Sequence, residues 1–185
     1  RNLVLADIGC GTGSLTFELA RFAHRVVGVD LSNEMLRRAR AIAKERALGN
    51  VEFRQGDALQ LPLDARSVDA AFCVMVLHFL PDPAYAVKEL CRIVGPGGSV
   101  ILVDLVEHKQ EWMREQMTHR WLGFGHSAID KWFHDAGAQS LDYALTGSYA
   151  GEKMVRNGNQ PVEIFVARAT VPVKTTGRTA RKNKR

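Results

Sequence analysis

The stretch Leu3–Leu15, with the sequence LVLADIGCGTGSL, decides the fold of this chain. It starts as an apolar run of β-forming residues and continues into alternating glycines. Apolar residues then follow at helical spacing, at Leu15, Phe17, Leu19 and Ala20. This order predicts a buried strand, a tight turn and the beginning of a helix. Such a turn lets a ligand approach bare backbone, and the free N–H groups of the helix start favour a negative group.

The glycine spacing departs from the pattern that binds dinucleotides. That pattern places its third glycine three residues after the second, whereas Ser14 stands there and the third glycine comes early, at Gly13. In addition, Asp7 would repel a pyrophosphate. An acid at this position suits a ligand that carries an ammonium group, as the methionine part of S-adenosylmethionine does. The loop therefore favours S-adenosylmethionine over NAD.

Residues 7–13, Asp-Ile-Gly-Cys-Gly-Thr-Gly, resemble the first motif of class I S-adenosylmethionine-dependent methyltransferases. The passage Val94–Gly98 (VGPGG) is similar to a second landmark of that family. The resemblance implies a doubly wound, Rossmann-like α/β sheet, mostly parallel, with an antiparallel C-terminal edge hairpin. The ligand is then expected outside the carboxyl ends of the strands. The implied activity is methyl transfer from S-adenosylmethionine by in-line displacement.

Two further acids follow predicted strands. Asp30 ends the strand over residues 25–30, where a βαβ unit places the acid that accepts the ribose hydroxyls. The resemblance implies that Asp57 and Ala58 hold the adenine and that Cys73 and Val74 line the methyl side, although either acid could simply cap a helix or a turn. The predicted cofactor-binding residues are Asp7, Gly9, Cys10, Gly11, Asp30, Leu31, Gly56, Asp57, Ala58, Cys73 and Val74.

His78 is the candidate catalytic residue. Leu77-His78-Phe79 resembles the L-H-H stretch of methyltransferases that act on small molecules, with Phe79 replacing the second histidine. A histidine there can serve as general base near pH 7. The alternative is a histidine that forms a local hydrogen bond between strand and helix. The Asn/Asp-Pro-Pro-Tyr/Phe motif of nucleic-acid amino methyltransferases is absent from the sequence, and a small-molecule acceptor is therefore expected.

The stretch 107–126 combines three histidines with two tryptophans. Residues 111–124 resemble methyltransferase domains fused behind ArsR-type winged-helix regulators. We predict that His119 and Trp121 contact the substrate; the alternative, strongest for Trp112, is a helix that packs its tryptophans on the core. No metal site is predicted, because the gaps of 11 and 7 residues between the histidines match no usual ligand pattern.

Composition places the 185 residues in the one-domain range of globular proteins, with 46% hydrophobic and 24% charged residues. No apolar run approaches the roughly 20 residues of a membrane span, so no membrane partner is expected. The three cysteines, Cys10, Cys73 and Cys91, have neither the even count of a disulfide framework nor the spacing of metal ligands. A reducing, cytoplasmic location is the resulting expectation.

The basic residues are unevenly distributed. Residues 170–185 contain six of the 25 basic residues and no acidic one, which leaves 19 basic against 20 acidic residues in the remainder. We therefore predict an S-adenosylmethionine-binding methyltransferase domain over 1–169 and a basic, disordered tail over 170–185. We also expect an upstream segment to be missing, because the family usually carries helices before the first strand. Nucleic acid could bind only through the tail or that segment, and the tail could equally be a solvated end.

Two other function classes stay open. The domain could bind S-adenosylmethionine as the sensor or effector domain of a transcriptional regulator, without turnover. It could also be an NAD-type oxidoreductase, although Asp7 and Asp57 argue against a phosphate-bearing cofactor.

Overall fold

The structure is a computed structural model that describes residues 2–149 and 160–173. In this part of the chain, seven strands form one sheet: β1 (Val4–Ile8), β2 (Arg25–Asp30), β3 (Val51–Gln55), β4 (Val68–Val74), β5 (Val94–Leu105), β6 (Gln139–Tyr149) and β7 (Val162–Thr170). Their order is β3-β2-β1-β4-β5-β7-β6. The first five strands pair in parallel, whereas β7 runs antiparallel to both β5 and β6. The predicted Rossmann-like sheet with its antiparallel edge hairpin is confirmed.

Among the described residues, the strands are connected by five helices: α1 (Ser14–Leu19), α2 (Asn33–Glu45), α3 (Pro83–Ile93), α4 (Trp112–Met117) and α5 (His126–Asp135). A single 3-10 turn covers Leu77–Phe79. Side-chain caps fix two helix starts: the Ser32 hydroxyl accepts from the Met35 N–H at 3.3 Å, and the Asp82 carboxylate accepts from the Tyr85 N–H at 2.9 Å. None of the helices in the described ranges is long and apolar enough to cross a bilayer.

Neighbouring residues of the strands face opposite layers, as the pleat requires. Leu5 and Val26 pack toward α1, and Phe53 packs against α1 and α2. The alternate positions, such as Ala6 and Val27, belong to the larger core that includes α3 and α5. Because both faces are covered by helices, the parallel strands are buried, and the edge formed by their carboxyl ends is left open for a ligand.

The sequence predicts the hairpin strands over about 139–145 and 161–167, with a loop over 147–160, and the observed strands are longer. β6 continues to Tyr149 and β7 to Thr170, because each strand supplies the other with ladder partners. The Val171 N–H also donates to the Gly98 carbonyl at 2.9 Å, while the Gly97 N–H donates to the Val171 carbonyl at 2.7 Å. The sheet and its edge bonds thus include the first two residues of the predicted tail. Residues 174–185 of that tail, and 150–159 of the predicted loop, lie outside the described residues.

Candidate functional site

A cavity of about 420 Å³ opens where the parallel strands end. Its volume lies within the range of small-molecule sites. It is lined by residues that follow β1 to β5: Ile8, Gly9, Val29, Asp30, Leu31, Gly56, Asp57, Ala58, Met75, Val76, Phe79, Leu80, Pro81 and Arg120. Six of the predicted cofactor-binding residues are among them: Gly9, Asp30, Leu31, Gly56, Asp57 and Ala58.

The glycine loop bends back onto the neighbouring strand. The Val29 carbonyl accepts from the N–H groups of Gly9 and Cys10, at 2.7 and 3.1 Å. Gly9 has φ +74°, and a Cβ there would lie 2.2 Å from Cγ2 of Val76. At Gly11 a Cβ would meet no heavy atom within 4 Å. The loop is therefore packed tightly beneath Gly9 and open at Gly11, where a ligand can approach the backbone.

Asp30 joins two of the loops that form the site. Its Oδ2 accepts from the Gly11 N–H and its Oδ1 from the Ser32 N–H, both at 2.8 Å. Asp30 is half-buried and lines the cavity. Since each carboxylate oxygen can accept a second hydrogen bond, the carboxylate can receive ribose hydroxyls without giving up these backbone bonds.

Asp57 follows β3, which pairs with β2 on the side away from β1. Its Oδ1 accepts from the Leu59 N–H at 2.9 Å, so it caps a turn, and it lines the cavity as well. The Gly56 N–H donates to the Asp30 carbonyl at 3.1 Å, which holds the two loops together. The two interpretations of Asp57, turn cap and ligand contact, are geometrically compatible.

Asp7 lies beneath the glycine loop and does not line the cavity. Only 2% of it is exposed, and the Thr16 hydroxyl donates to its Oδ2 at 2.6 Å. Burial is the largest influence on this carboxyl and raises its pKa to about 6, despite the hydrogen bond from Thr16. The first acid of the motif is thus anchored to α1.

Four other predicted cofactor-binding residues, Cys10, Gly11, Cys73 and Val74, also fall outside the cavity lining. Cys10 packs its side chain into the cluster that contains Phe53 and leaves only its backbone in the loop. Burial raises the pKa of the Cys10 thiol to about 12 and that of Cys73 well above its usual value. Both thiols are therefore protonated at neutral pH, which does not suit a nucleophile.

His78 is also outside the cavity lining, although its neighbours Phe79 and Leu80 belong to it. The ring is 1% exposed, and its Nδ1 lies 2.6 Å from Oδ1 of Asp104. Oδ2 of Asp104 accepts from the Leu77 N–H at 3.0 Å. The partner is therefore not a neighbour in the chain, as the alternative of a local hydrogen bond expected, but an acid of β5 that lies 26 residues away. The general-base role stays a prediction.

The two predicted substrate residues flank the cavity without lining it. His119 is 5% exposed, and its Nδ1 has no hydrogen-bond partner within the described part of the chain. Burial, with His78 nearby, lowers its pKa to about 4, so the ring is neutral at pH 7. Trp121 is 41% exposed and donates its indole N–H to the Leu80 carbonyl at 2.8 Å. Arg120, between them, does line the cavity.

Sequence reasoning missed several residues of the site. Asp104 had a usable signal, because it is an acid near the end of a buried strand, like Asp7 and Asp30. No sequence signal distinguished Arg120, since it stands in a stretch rich in charged residues. Met75 adopts φ +57°, which no sequence pattern announced. The remaining lining residues after β4, Val76, Phe79, Leu80 and Pro81, lie in a segment that the resemblance placed near the site without assigning roles.

The polar groups of the cavity fit an adenosine ligand without phosphates. Asp30 and Asp57 stand after β2 and β3, and no lysine or arginine accompanies them among the residues lining that side. A phosphate would be repelled there, while ribose hydroxyls and an adenine amine are donors that carboxylates accept. Gly11 leaves open space beside them. These acceptors suit the adenosine part of S-adenosylmethionine.

Residues 6–102, more than half of the chain, match the family described as methyltransferase domain. The chain belongs to the methyltransferase-domain family. With its seven-stranded sheet it is a class I methyltransferase domain, and its cofactor is S-adenosylmethionine.

Two curated relatives have names that refer to quinones. The demethylmenaquinone methyltransferase of Lactococcus lactis subsp. lactis is 38% identical over 105 residues, which cover 55% of this chain and 42% of that protein. The ubiquinone biosynthesis O-methyltransferase of Alkalilimnicola ehrlichii is 33% identical over 146 residues, covering 71% of this chain and 59% of that protein. The chain thus spans about half the length of these relatives.

Among solved structures, the fold is similar to that of phosphoethanolamine N-methyltransferase 2 from Haemonchus contortus, in complex with S-adenosyl-L-methionine. The TM-score is 0.79 at 16% sequence identity, with 94% of this chain and 49% of that one covered. At this identity the similarity supports the fold alone.

Proposed function

We propose that this domain transfers the methyl group of S-adenosylmethionine to a small-molecule acceptor. The observation that carries the proposal is the composition of the cavity. It combines the glycine loop, Asp30 and Asp57 on one side with the apolar residues of 75–81 on the other. Such a cavity offers polar groups to an adenosine and an apolar wall to an acceptor. The names of the two relatives that refer to quinones agree with an acceptor of small size.

In this proposal, the chain binds its cofactor mainly through backbone and carboxylates. Asp30 accepts the ribose hydroxyls while it holds the N–H groups of Gly11 and Ser32. Asp57 and Ala58 receive the adenine, with Gly56 and Leu31 beside it in the lining. The methionine part lies over Gly9 and Gly11, above the buried Asp7. The surface beneath the methionine part is supported from the core and the sheet by Cys10, Cys73 and Val74.

When bound, S-adenosylmethionine supplies a sulfonium whose methyl carbon is already electrophilic. The methyl group would pass to a nucleophile of the acceptor, with the electron pair of the carbon–sulfur bond left on sulfur. The protein contributes orientation and the exclusion of water. The apolar wall of Val76, Phe79 and Leu80 is placed to exclude water.

His78 is better suited to positioning than to proton transfer. Its Nδ1 is bound to Asp104, and its ring is buried beside His119 at a centroid distance of 4.2 Å. Through its carbonyl it also accepts from the N–H groups of Arg120 and Trp121, at 2.9 and 3.1 Å. We propose that His78 fixes this segment, and that His119 and Trp121 contact the substrate only from the edge of the cavity.

Calorimetry with S-adenosylmethionine and S-adenosylhomocysteine tests the cofactor assignment. Asp30→Ala removes a carboxylate that holds two loops and faces the cavity, so we expect affinity to fall by about a hundredfold or more. Asp69→Ala is the matched control, because Asp69 also accepts a backbone N–H, from Val4 at 2.8 Å, and is not in the cavity lining. Equal affinities in wild type and Asp30→Ala would refute the assignment.

Turnover is measured separately, as S-adenosylhomocysteine formed in the presence of phenols and reduced quinones. Formation in wild type and its loss in Asp30→Ala are expected. Tight cofactor binding without product from any acceptor would instead favour a sensor without turnover, which would agree with the resemblance of residues 111–124 to domains fused to ArsR-type regulators.

The remaining proposals concern the setting of this domain. We propose that residues 1–169, together with Thr170 and Val171 at the sheet edge, make up the cofactor-binding domain and that the protein acts in the cytoplasm. The latter rests on three buried thiols, none of them in a disulfide within the described ranges. Nucleic acid binding would require the basic tail over 170–185 or an upstream segment, and the test for the tail is the salt dependence of binding with and without residues 170–185.

A further inference from the structure

We propose that Arg120 makes one side of the cavity a subsite for an anionic group, so that the acceptor is an apolar or aromatic molecule that carries a carboxylate. This inference rests on the proposed function and names the class of its acceptor.

The charged residues of the lining are separated by sign. Asp57 follows β3 and Asp30 follows β2, whereas Arg120 comes from the segment after β5. In the sheet, β1 and β4 lie between β2 and β5. The acids and the arginine therefore approach the cavity from opposite sides. A ligand that spans the cavity meets carboxylates on the adenosine side and a guanidinium on the other.

The backbone of Arg120 is held in place by several hydrogen bonds. Its N–H donates to the His78 carbonyl at 2.9 Å, and its own carbonyl accepts from the Arg114 guanidinium. The next residue, Trp121, donates its backbone N–H to the same His78 carbonyl at 3.1 Å and its indole N–H to Leu80 at 2.8 Å. The segment is thus attached to the 3-10 turn that forms the apolar wall, so the arginine keeps its place beside that wall.

The guanidinium of Arg120 is available for a ligand. Within residues 2–149 and 160–173, no carboxylate forms an ion pair with it. It is the only cation in the lining of this cavity as the described residues define it. His119 cannot serve as a second cation, because burial lowers the pKa of its ring to about 4 and leaves it neutral at pH 7.

The neighbours of Arg120 set the rest of the specificity. Phe79, Leu80 and Pro81 present apolar surface on the same side, and Phe79 is 43% exposed. An arginine beside aromatic and aliphatic surface suits a ligand with a planar apolar body and one negative group, because the guanidinium fork matches a carboxylate.

The test compares matched probes on the full chain saturated with S-adenosylhomocysteine. We use 4-hydroxybenzoate against 4-hydroxybenzamide and salicylate against salicylamide, with binding followed by calorimetry and saturation-transfer NMR. In wild type the acids are expected to bind about tenfold more tightly than the amides, since a hydrogen bond to a charged group is worth that much at an exposed site. Arg120→Gln should abolish the difference, and Arg120→Lys should restore part of it.

Arg37→Gln is the control, because Arg37 is an exposed arginine on α2 that pairs with Glu34 and does not line the cavity. It should keep the full preference for acids. The proposal is overturned if wild type binds acids and amides equally or binds neither, or if Arg120→Gln keeps the preference.

It is also overturned if Arg120→Gln weakens binding of S-adenosylhomocysteine but not of 5′-methylthioadenosine, since the arginine would then serve the cofactor carboxylate. Failure of the proposed function is a different result, namely no binding of S-adenosylhomocysteine by wild type.

Discussion

The two sides of the cavity hold their polar groups by different means. On the glycine-loop side (residues 9–14, 30–32 and 56–58), the carboxylates accept from backbone N–H groups, as Asp30 does from Gly11 and Ser32. On the Arg120 side (residues 75–81 and 119–121), side chains find partners far away in the chain. His78 binds Asp104, and Trp121 donates to the carbonyl of Leu80, 41 residues earlier.

This difference explains why residue types and spacing predict the first side, and why the second side depends on particular side chains. Backbone N–H groups are present whatever the neighbouring residue, so an acid after a strand and a glycine turn suffice to build the first side. The second side requires particular side chains that meet only when β4 and β5 are paired. We infer that the first side binds one class of ligand, the cofactor, while the second side determines which acceptor binds.

Gly9 is where the two sides touch, and its substitution is expected to have the largest effect. Gly9→Ala places a methyl group 2.2 Å from Cγ2 of Val76 in a left-handed conformation. Strain and overpacking together should cost about 5 kcal/mol. The measurement is the free energy of unfolding in urea, together with affinity for S-adenosylhomocysteine.

Gly11→Ala is the control for Gly9→Ala, with φ +54° and nothing within 4 Å of the added methyl. It should lose about 1 kcal/mol, from backbone conformation alone. If both variants lose the same stability, the contact between Gly9 and Val76 does not couple the two sides.

Asp104→Ala addresses the Arg120 side alone. It leaves the buried ring of His78 and the N–H of Leu77 without their acceptor, which should cost about 4 kcal/mol. Asp104→Asn keeps one acceptor oxygen and should recover part of the loss. Urea unfolding measures both, and calorimetry on the folded protein should find the affinity for S-adenosylhomocysteine nearly unchanged.

Asp69→Ala provides the comparison for Asp104→Ala, because it removes an exposed acceptor of one backbone N–H. It should cost about 1 kcal/mol. A loss in Asp104→Ala no larger than this would show that the pair of His78 and Asp104 contributes little to the fold.

Asp7→Asn tests the buried acid on the glycine-loop side through pH. The folded-state pKa of Asp7, about 6, is above its ordinary value of 3.8. The folded protein therefore binds this proton more tightly than the unfolded chain, and stability is present below pH 4 and lost as pH rises through 6. The loss should amount to about 3 kcal/mol. Asp7→Asn removes it, so its stability relative to wild type should rise by up to that amount between pH 4 and pH 7.

Thr16→Val sharpens the experiment on Asp7. The Thr16 hydroxyl lowers the pKa of Asp7, and its removal should extend the pH-dependent loss to higher pH. Urea unfolding at several pH values follows both variants. A difference between Asp7→Asn and wild type that stays constant with pH would contradict the burial of this carboxyl as the cause.

Much of the fold followed from local patterns. Strand β2 has the bounds that its apolar run predicted, and the helix starts at Ser32 and Asp82 carry side-chain caps. The edge hairpin was expected from the resemblance but is longer than predicted, because its final residues are set by ladder pairing between distant segments and not by local propensity.

For the site, the sequence by itself determined the glycine turn and the acids at the strand ends, because a backbone turn and a strand end are local features that residue types and spacing reveal. It also determined that those acids disfavour a ligand with negatively charged phosphates. Only the tertiary structure decided that Asp7 is buried against Thr16, that His78 turns to Asp104, and that Arg120 reaches the cavity. These placements depend on contacts across β4, β5 and the segment after them, which exist only once the sheet has formed.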